Sequence, residues 1–386
     1  MVAIVNATVA NNKIILAWDN KRESSFLNVW LRDNCRCSAC YHAVAEERIL
    51  NSASIPLDIK TKTASVNAET NALEIVWDVE DAHASSYPAA FLAGYSRFPE
   101  NEKPAVYEEK LWDVEAINAD IPTLPRSTYA RVMESEEGIH EWLELLNKYG
   151  FTILEGVPQG DHRVEEIGRR ISIIRNSFWG ESSWDVKDKP DPTSLSLTGG
   201  DLFPHTDLCF SESQPGVQFL HCREFSADKL VGGESTIVDG YSVAEKIRRE
   251  QPEVFATLTS KNVPHVFSSK QHYFRFDGPV VKTNPNGTVK ELRFNQALIS
   301  PLEGEADDLV DLYKALQVFA NETRDHKNLL HFRLREGEML VFNNHRMLHG
   351  RRGYDAVNTR RHLEGCYLDY EEFVGRLKKL REAKQA

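Results

Sequence analysis

The chain has no apolar run of 18 or more residues, so it offers no candidate transmembrane helix. It also lacks a surplus of base, since 46 Lys and Arg stand against 58 Asp and Glu, a net charge of −12. Nucleic acid, whose phosphates need basic patches, is therefore a poor partner. The opening MVAIVNATVANNKIILAW has no basic region before a long apolar stretch, and the expectation is a soluble, unexported, cytoplasmic protein that engages no membrane. No internal repeat and no low-complexity segment is present. Cysteine is scarce, six in 386 residues, and unevenly spread: Cys35, Cys37 and Cys40 share one six-residue window, while Cys209, Cys222 and Cys366 are scattered. In a reducing compartment such clustering favours a metal site over disulfides.

What remains is an ordinary globular composition, 41% apolar and 27% charged, in a chain long enough for two or three domains. Strand-like runs at KIILAW, FLNVWL, Ile55 to Ile59 and LEIVW predict a small β-rich domain over 1–95. An irregular, partly helical connection follows, and the Pro122 and Pro125 pair marks a linker over 96–127. A larger domain is expected over 128–386. It opens with an amphipathic helix, Gly138 to Tyr149, stopped by Gly150, then a strand at FTILEGV and a second helix from Arg163 to Ile174. From Leu195 onward come short apolar runs separated by turn residues: SLSL, GVQFLHC, ESTIVDG, NVPHVF, HYFRF, KELRFNQ, HFRL, MLVFNN and HLEGCYLDY. Many short strands of this kind predict an antiparallel sandwich or barrel. Helices interrupt or follow them at a capping box beginning with Ser242, at Asp307 to Ala320, and from about Glu371 to the end. The fold class is thus α+β.

Two constellations carry chemistry. His205 and Asp207 sit two residues apart, a spacing that puts both side chains on one face of a strand. With His349 they make the two-histidine, one-carboxylate set of a non-haem Fe(II) oxygenase, which leaves three coordination positions open. His345 competes with His349 for the distal place. Twelve residues past His349 stands Arg361, whose planar guanidinium could grip the distal carboxylate of 2-oxoglutarate in a two-pronged fork. Strand alternation sends its neighbour Arg360 to the opposite face. In the small domain, Cys35, Cys37 and Cys40 give C-x-C-x-x-C spacing, one ligand short of tetrahedral zinc. His42 and His83 are candidates for the fourth. His83 is preferred, because a distant closing ligand ties the domain together better than another close neighbour.

These residues also carry a resemblance. WLRDNC with its following cysteines, PHTD, PGVQFLHC, GGES-IVDG, FNNHRMLHGRR and RHLEGCY occur in one order over nearly the whole chain, which resembles the γ-butyrobetaine and trimethyllysine hydroxylases. The resemblance implies a double-stranded β-helix (jelly roll) with flanking helices, a zinc-bearing N-terminal domain and a homodimer. It implies Fe(II) on His205, Asp207 and His349, 2-oxoglutarate on Arg361, structural zinc on Cys35, Cys37, Cys40 and His83, O2 as co-substrate, and ascorbate as a candidate reductant. A quaternary-amine substrate would sit in an aromatic cage, for which Trp179, Trp184 and Tyr367 are the walls here, with Asn295 at the substrate's other end. Leu197 and Trp179 stand where the family enzyme carries tyrosines, which leaves the amine less determined than the reaction. γ-Butyrobetaine is the leading expectation; trimethyllysine, a phosphonate or sulfonate analogue, or a metal-free jelly-roll binding protein are the alternatives. Asn295 to Ser300 holds neither Arg nor Lys, which speaks against a phosphonate.

Overall fold

The computed structural model describes residues 2–79, 82–96, 109–121, 123–187, 192, 194–227 and 232–385. They form two compact units, Met1–Val106 and Tyr107–Ala386. Among the described residues no helix is long and apolar enough to cross a membrane.

The first unit holds two three-stranded antiparallel sheets, Ile4–Ala10, Lys13–Trp18 and Glu23–Leu27 in one, Thr61–Asn67, Ala72–Trp77 and Ala84–Pro88 in the other. Alternation along Lys13–Trp18 buries Ile14, Leu16 and Trp18, and they share one core with Leu73, Ile75, Trp77 and Tyr87. Two strand expectations fail here. FLNVWL is a strand only to Leu27 and then turns into the helix Asn28–Asp33; the buried Asn28 side chain donates to the Ile59 carbonyl, a tertiary bond that local propensity does not encode. Ile55 to Ile59 lies outside regular structure, after a 3-10 turn at Ser52–Ser54.

In the second unit ten strands matter for the site: β1 Arg126–Thr128, β2 Phe151–Glu155, β3 Trp184–Lys187, β4 Leu202–His205, β5 Val217–Ala227, β6 Ser235–Asp239, β7 Leu330–Phe332, β8 Met339–Asn343, β9 Met347–Arg351 and β10 Thr359–Leu368. They form a six-stranded sheet in the order β3-β10-β5-β8-β2-β1 and a four-stranded sheet in the order β4-β9-β6-β7. All neighbours are antiparallel except β1 and β2. Phe151, Ile153, Leu220, Leu340, Phe342 and Leu363 of the large sheet pack in one cluster with Ile237, Leu330 and Met347 of the small one. A core of side chains from two inner faces is what makes a sandwich, here a jelly roll.

Helices cover the outside. Glu136–Tyr149 is capped by Ser135, whose Oγ accepts from Gly138 N at 3.0 Å, and ends at Gly150 in the left-handed region at φ 78°. Its stripe of Ile139, Trp142, Leu143 and Leu146 is fully buried against β2, β5 and β8 residues together with helices Arg163–Ile171 and Tyr370–Gln385. Helices Gly240–Glu250, Pro252–Ser260 and Ala306–Arg324 bury a second cluster with Val238 and Leu348 of the small sheet. The cap of Gly240–Glu250 is Asp239, which accepts from Tyr241 N and Ser242 N, rather than Ser242 as its sequence box suggests. SLSL is a 3-10 turn at Leu195–Leu197, not a strand.

Of the expected linker over 96–127, residues 97–108 and Pro122 lie outside the described residues. Its later part is built into the second unit: Trp112 is buried, its backbone N donates to Asp239 Oδ2 at 3.1 Å, and its indole donates to the Tyr149 carbonyl at 2.7 Å.

Candidate active site

Strands β4 and β9 pair so that His205 stands opposite His349, with ring centroids 4.3 Å apart. Asp207 reaches them differently from the strand geometry expected. β4 ends at His205; Thr206 N instead donates to the Phe294 carbonyl at 2.8 Å, and Leu208 turns the chain at φ 51°. The carboxylate still converges, Oδ1 lying 3.2 Å from His205 Nε2 and 3.9 Å from His349 Nε2.

The surrounding bonds leave these three atoms facing one point. His205 Nδ1 is 2.8 Å from the Phe203 carbonyl, an acceptor that fixes the proton on Nδ1 and leaves the Nε2 lone pair bare. Tyr367 donates its hydroxyl to Asp207 Oδ2 at 2.7 Å, which occupies that oxygen and leaves Oδ1 inward. Burial, the largest cause, and then the facing His205 push His349 down to about 3, so its imidazole is neutral. Burial alone would raise the Asp207 carboxyl, but its polar neighbours, His205, His349 and the Tyr367 hydroxyl, hold it well below the usual range. Two imidazoles and one carboxylate, in reach of one cation, fit the Fe(II) donor set.

The triad opens into a cavity of about 780 Å³. Alternation along β10 directs Arg361, Leu363 and Tyr367 into it, and leaves Arg360 outside with its side chain 83% exposed beside Glu224. The fourth member of that alternate set is Gly365, opposite Trp184 in register. A Cβ at 365 would lie 2.2 Å from the indole ring, so glycine is what lets Trp184 lie across β10 and meet the Tyr367 ring at 5.0 Å. The Trp184 N–H is buried with no protein partner among the described residues. Trp179 lines the cavity from a cluster with Phe178 and Phe267, at 4.4 and 5.6 Å between centroids. Asn295 also faces the cavity; its Oδ1 accepts from Ala297 N at 3.1 Å, which leaves the amide NH2 as its outward donor.

All the cavity residues named from sequence thus line one space, with Leu197. His345 does not: it is buried, its Nε2 lies 3.0 Å from the Gln214 carbonyl and its ring stacks on Tyr370. Sequence reasoning missed Leu208, Phe210, Phe267, Asp185 and Arg351 in the lining. Leu208 and Phe210 lie just past Asp207, and Arg351 is two residues past His349 on β9, so spacing carried a signal for these; Asp185 and Phe267 come from separate strands.

In the first unit, His83 Nε2 lies 3.5, 3.6 and 3.5 Å from the sulfurs of Cys35, Cys37 and Cys40. His42 is elsewhere, accepting from Ala45 N on the surface. Arg32 places a guanidinium nitrogen 3.2 Å from Cys40 Sγ, a positive charge beside the sulfurs. Four soft and borderline ligands at this spacing could hold a closed tetrahedral metal.

Comparison with known proteins agrees in extent and order. Residues 115–367 match the taurine catabolism dioxygenase TauD, TfdA family, and residues 5–93 match the gamma-butyrobetaine hydroxylase-like N-terminal family. The chain is 33% identical over 366 residues to a gamma-butyrobetaine dioxygenase of Pseudomonas sp. strain AK-1, covering 94% of this chain and 92% of that one. It is 30% identical to a trimethyllysine dioxygenase of Meyerozyma guilliermondii, covering 99% and 97%. The gamma-butyrobetaine dioxygenase of Homo sapiens is also 30% identical, covering 95% and 94%.

Proposed function

The chain belongs to the taurine catabolism dioxygenase TauD, TfdA family, and on that footing we propose that it hydroxylates a small trimethylammonium compound, γ-butyrobetaine before others, with Fe(II) on His205, Asp207 and His349 and 2-oxoglutarate on Arg361. The observation that carries the reading is the convergence of His205 Nε2, His349 Nε2 and Asp207 Oδ1 in a cavity whose lining also includes Arg361, Trp184 and Tyr367. Relatives named for γ-butyrobetaine and trimethyllysine over nearly the full chain support the substrate class.

When bound, Fe(II) with 2-oxoglutarate and oxygen supplies the oxidising equivalents that put a hydroxyl on an unactivated C–H bond, while 2-oxoglutarate is decarboxylated to succinate and CO2. The chain's own work is positional. Arg361, in a lining shared with Leu220, Leu340 and Leu363, would offer a fork of N–H donors to a carboxylate. Tyr367 holds Asp207 Oδ2 and so keeps Oδ1 directed inward. The ring faces of Trp184, Trp179 and Tyr367 suit a quaternary ammonium, which has no proton to donate and is drawn to aromatic faces. Asn295 presents its NH2 to an acceptor at the substrate's far end. The leucines and phenylalanines of the lining exclude water.

Trimethyllysine is the second reading: a relative named trimethyllysine dioxygenase is 30% identical over 99% of this chain. The cysteine cluster with His83 is read as a structural zinc site.

The test is succinate formation by anaerobically iron-loaded protein after oxygen is admitted, with γ-butyrobetaine, trimethyllysine and a phosphonate analogue in parallel. Stimulation by one trimethylammonium compound supports the reading and selects among substrates. Equal succinate with and without every amine, despite bound iron, would overturn the substrate class.

A further inference from the structure

Asp207 contributes a ligand atom from a stretch that has left its sheet. β4 stops at His205, so the peptide groups of Asp207 have no neighbouring strand to pair with, and the next residue, Leu208, sits in the left-handed region. A carboxylate on unpaired backbone would be free to wander, which a metal centre cannot use.

Asn344, in the turn between β8 and β9, fills that place. Its side-chain Oδ1 accepts from Asp207 N at 2.8 Å, and its Nδ2 donates to the Asp207 carbonyl at 3.0 Å. One amide thus satisfies both backbone groups of Asp207, as the peptide of an adjacent strand would. The second Nδ2 proton goes to the Pro215 carbonyl at 3.0 Å, so every polar atom of the side chain is engaged. The side chain is fully buried. Its own backbone is braced in turn, Asn344 N donating to the Gly216 carbonyl at 2.8 Å and the Asn344 carbonyl accepting from Gln214 Nε2 at 3.2 Å. Five residues later, on β9, comes His349, so one turn between the two sheets sets the positions of two of the three converging side chains.

We infer that Asn344 is a positioning residue of the metal centre, a side-chain stand-in for a missing strand that fixes the Asp207 carboxylate relative to His349. The inference rests on the metal-centre reading above. Loss of such an outer bond to a ligating residue costs about 10- to 100-fold in metal affinity.

The experiment measures Mn(II) binding by calorimetry to the full chain, together with the melting temperature of the metal-free protein. Mn(II) prefers carboxylate and imidazole to thiolate, which keeps it out of the cysteine cluster. Asn344→Ala and the milder Asn344→Ser are compared with Asn328→Ala, which deletes a buried amide bonded to the Glu322 carbonyl elsewhere in the unit. The expected result is Mn(II) affinity weakened by about 10-fold or more in both Asn344 variants and unchanged in Asn328→Ala, at similar losses of melting temperature. Affinity within twofold of wild type in a folded Asn344 variant overturns the inference, as does equal weakening by Asn328→Ala. A wild-type chain that binds no Mn(II) overturns the metal-centre reading itself, and with it the role of Asn344.

Discussion

Replacing Tyr367 with Phe separates two roles that its position combines. The ring packs on Trp184 at 5.0 Å and the hydroxyl donates to Asp207 Oδ2 at 2.7 Å; Phe keeps the first and deletes the second. A buried hydrogen bond to an ionised carboxylate is worth roughly 1.5–3 kcal/mol. At about 1.4 kcal/mol per factor of ten, Mn(II) or Fe(II) affinity should fall by roughly 10- to 100-fold. The aromatic wall survives, so KM for the amine, measured at saturating iron by succinate release, should change by less than about threefold, since ring stacking and cation attraction need no hydroxyl. Unchanged metal affinity combined with a large rise in amine KM would refute the reasoning, because it would make the hydroxyl a substrate contact and the bond to Asp207 incidental.

Other perturbations follow from the same geometry. Arg361→Lys should raise KM for 2-oxoglutarate by about tenfold or more in succinate assays, since a point charge cannot reproduce the two-pronged grip, whereas the exposed Arg360→Ala should stay within about twofold. Gly365→Ala would drive a methyl into the Trp184 ring, and should raise amine KM while leaving KM for 2-oxoglutarate nearly unchanged. His83→Ala should lower the zinc content found by elemental analysis and the melting temperature of the first unit, because a closed metal site contributes folding energy. Stability should also fall on acidification. His221 and His265 are fully buried and held down to about 4, His221 by burial and then the Arg223 charge, His265 by burial. Their unfolded forms take up protons below about 6.5, so the unfolded state binds more protons between about pH 6.5 and 4, and stability drops through that window by a few kcal/mol. Denaturant melts at pH 7 and 5 check this; equal midpoints would contradict it.

Much of the site was legible because its chemistry is written in residue types that have few other reasons to be where they are. Histidines and a carboxylate in H-x-D spacing, a later histidine, and an arginine on an alternating strand name a metal and an anion site before any fold is known. Alternation also put Arg361 and Arg360 on opposite faces, since a period of two needs no tertiary information; the packed sheet placed Arg361 in the cavity and Arg360 in solvent. Less was legible where a side chain's role depends on a partner far along the chain. His345 resembles a ligand in sequence, but the turn from β8 to β9 carries it onto Gln214 and Tyr370. Tyr367 reads as a cage wall, and its bond to Asp207 appears only when residues 160 positions apart meet. The strands expected at SLSL and at Ile55 to Ile59 failed because short apolar runs of that length can be strand, turn or coil, and packing decides among them.

Spacing and side-chain chemistry were enough for the elements with strong periodicity, for the His205, Asp207 and His349 donor set, for the three clustered cysteines, and for the two alternating faces of β10. The packed chain was needed to show that β4 ends before Asp207, that Asn344 replaces the missing strand, that His83 rather than His42 closes the cysteine cluster, and that Gly365 makes room for Trp184. Each of those depends on backbone brought together from distant stretches, where hydrogen bonds and steric limits are set by neighbours that no local pattern records.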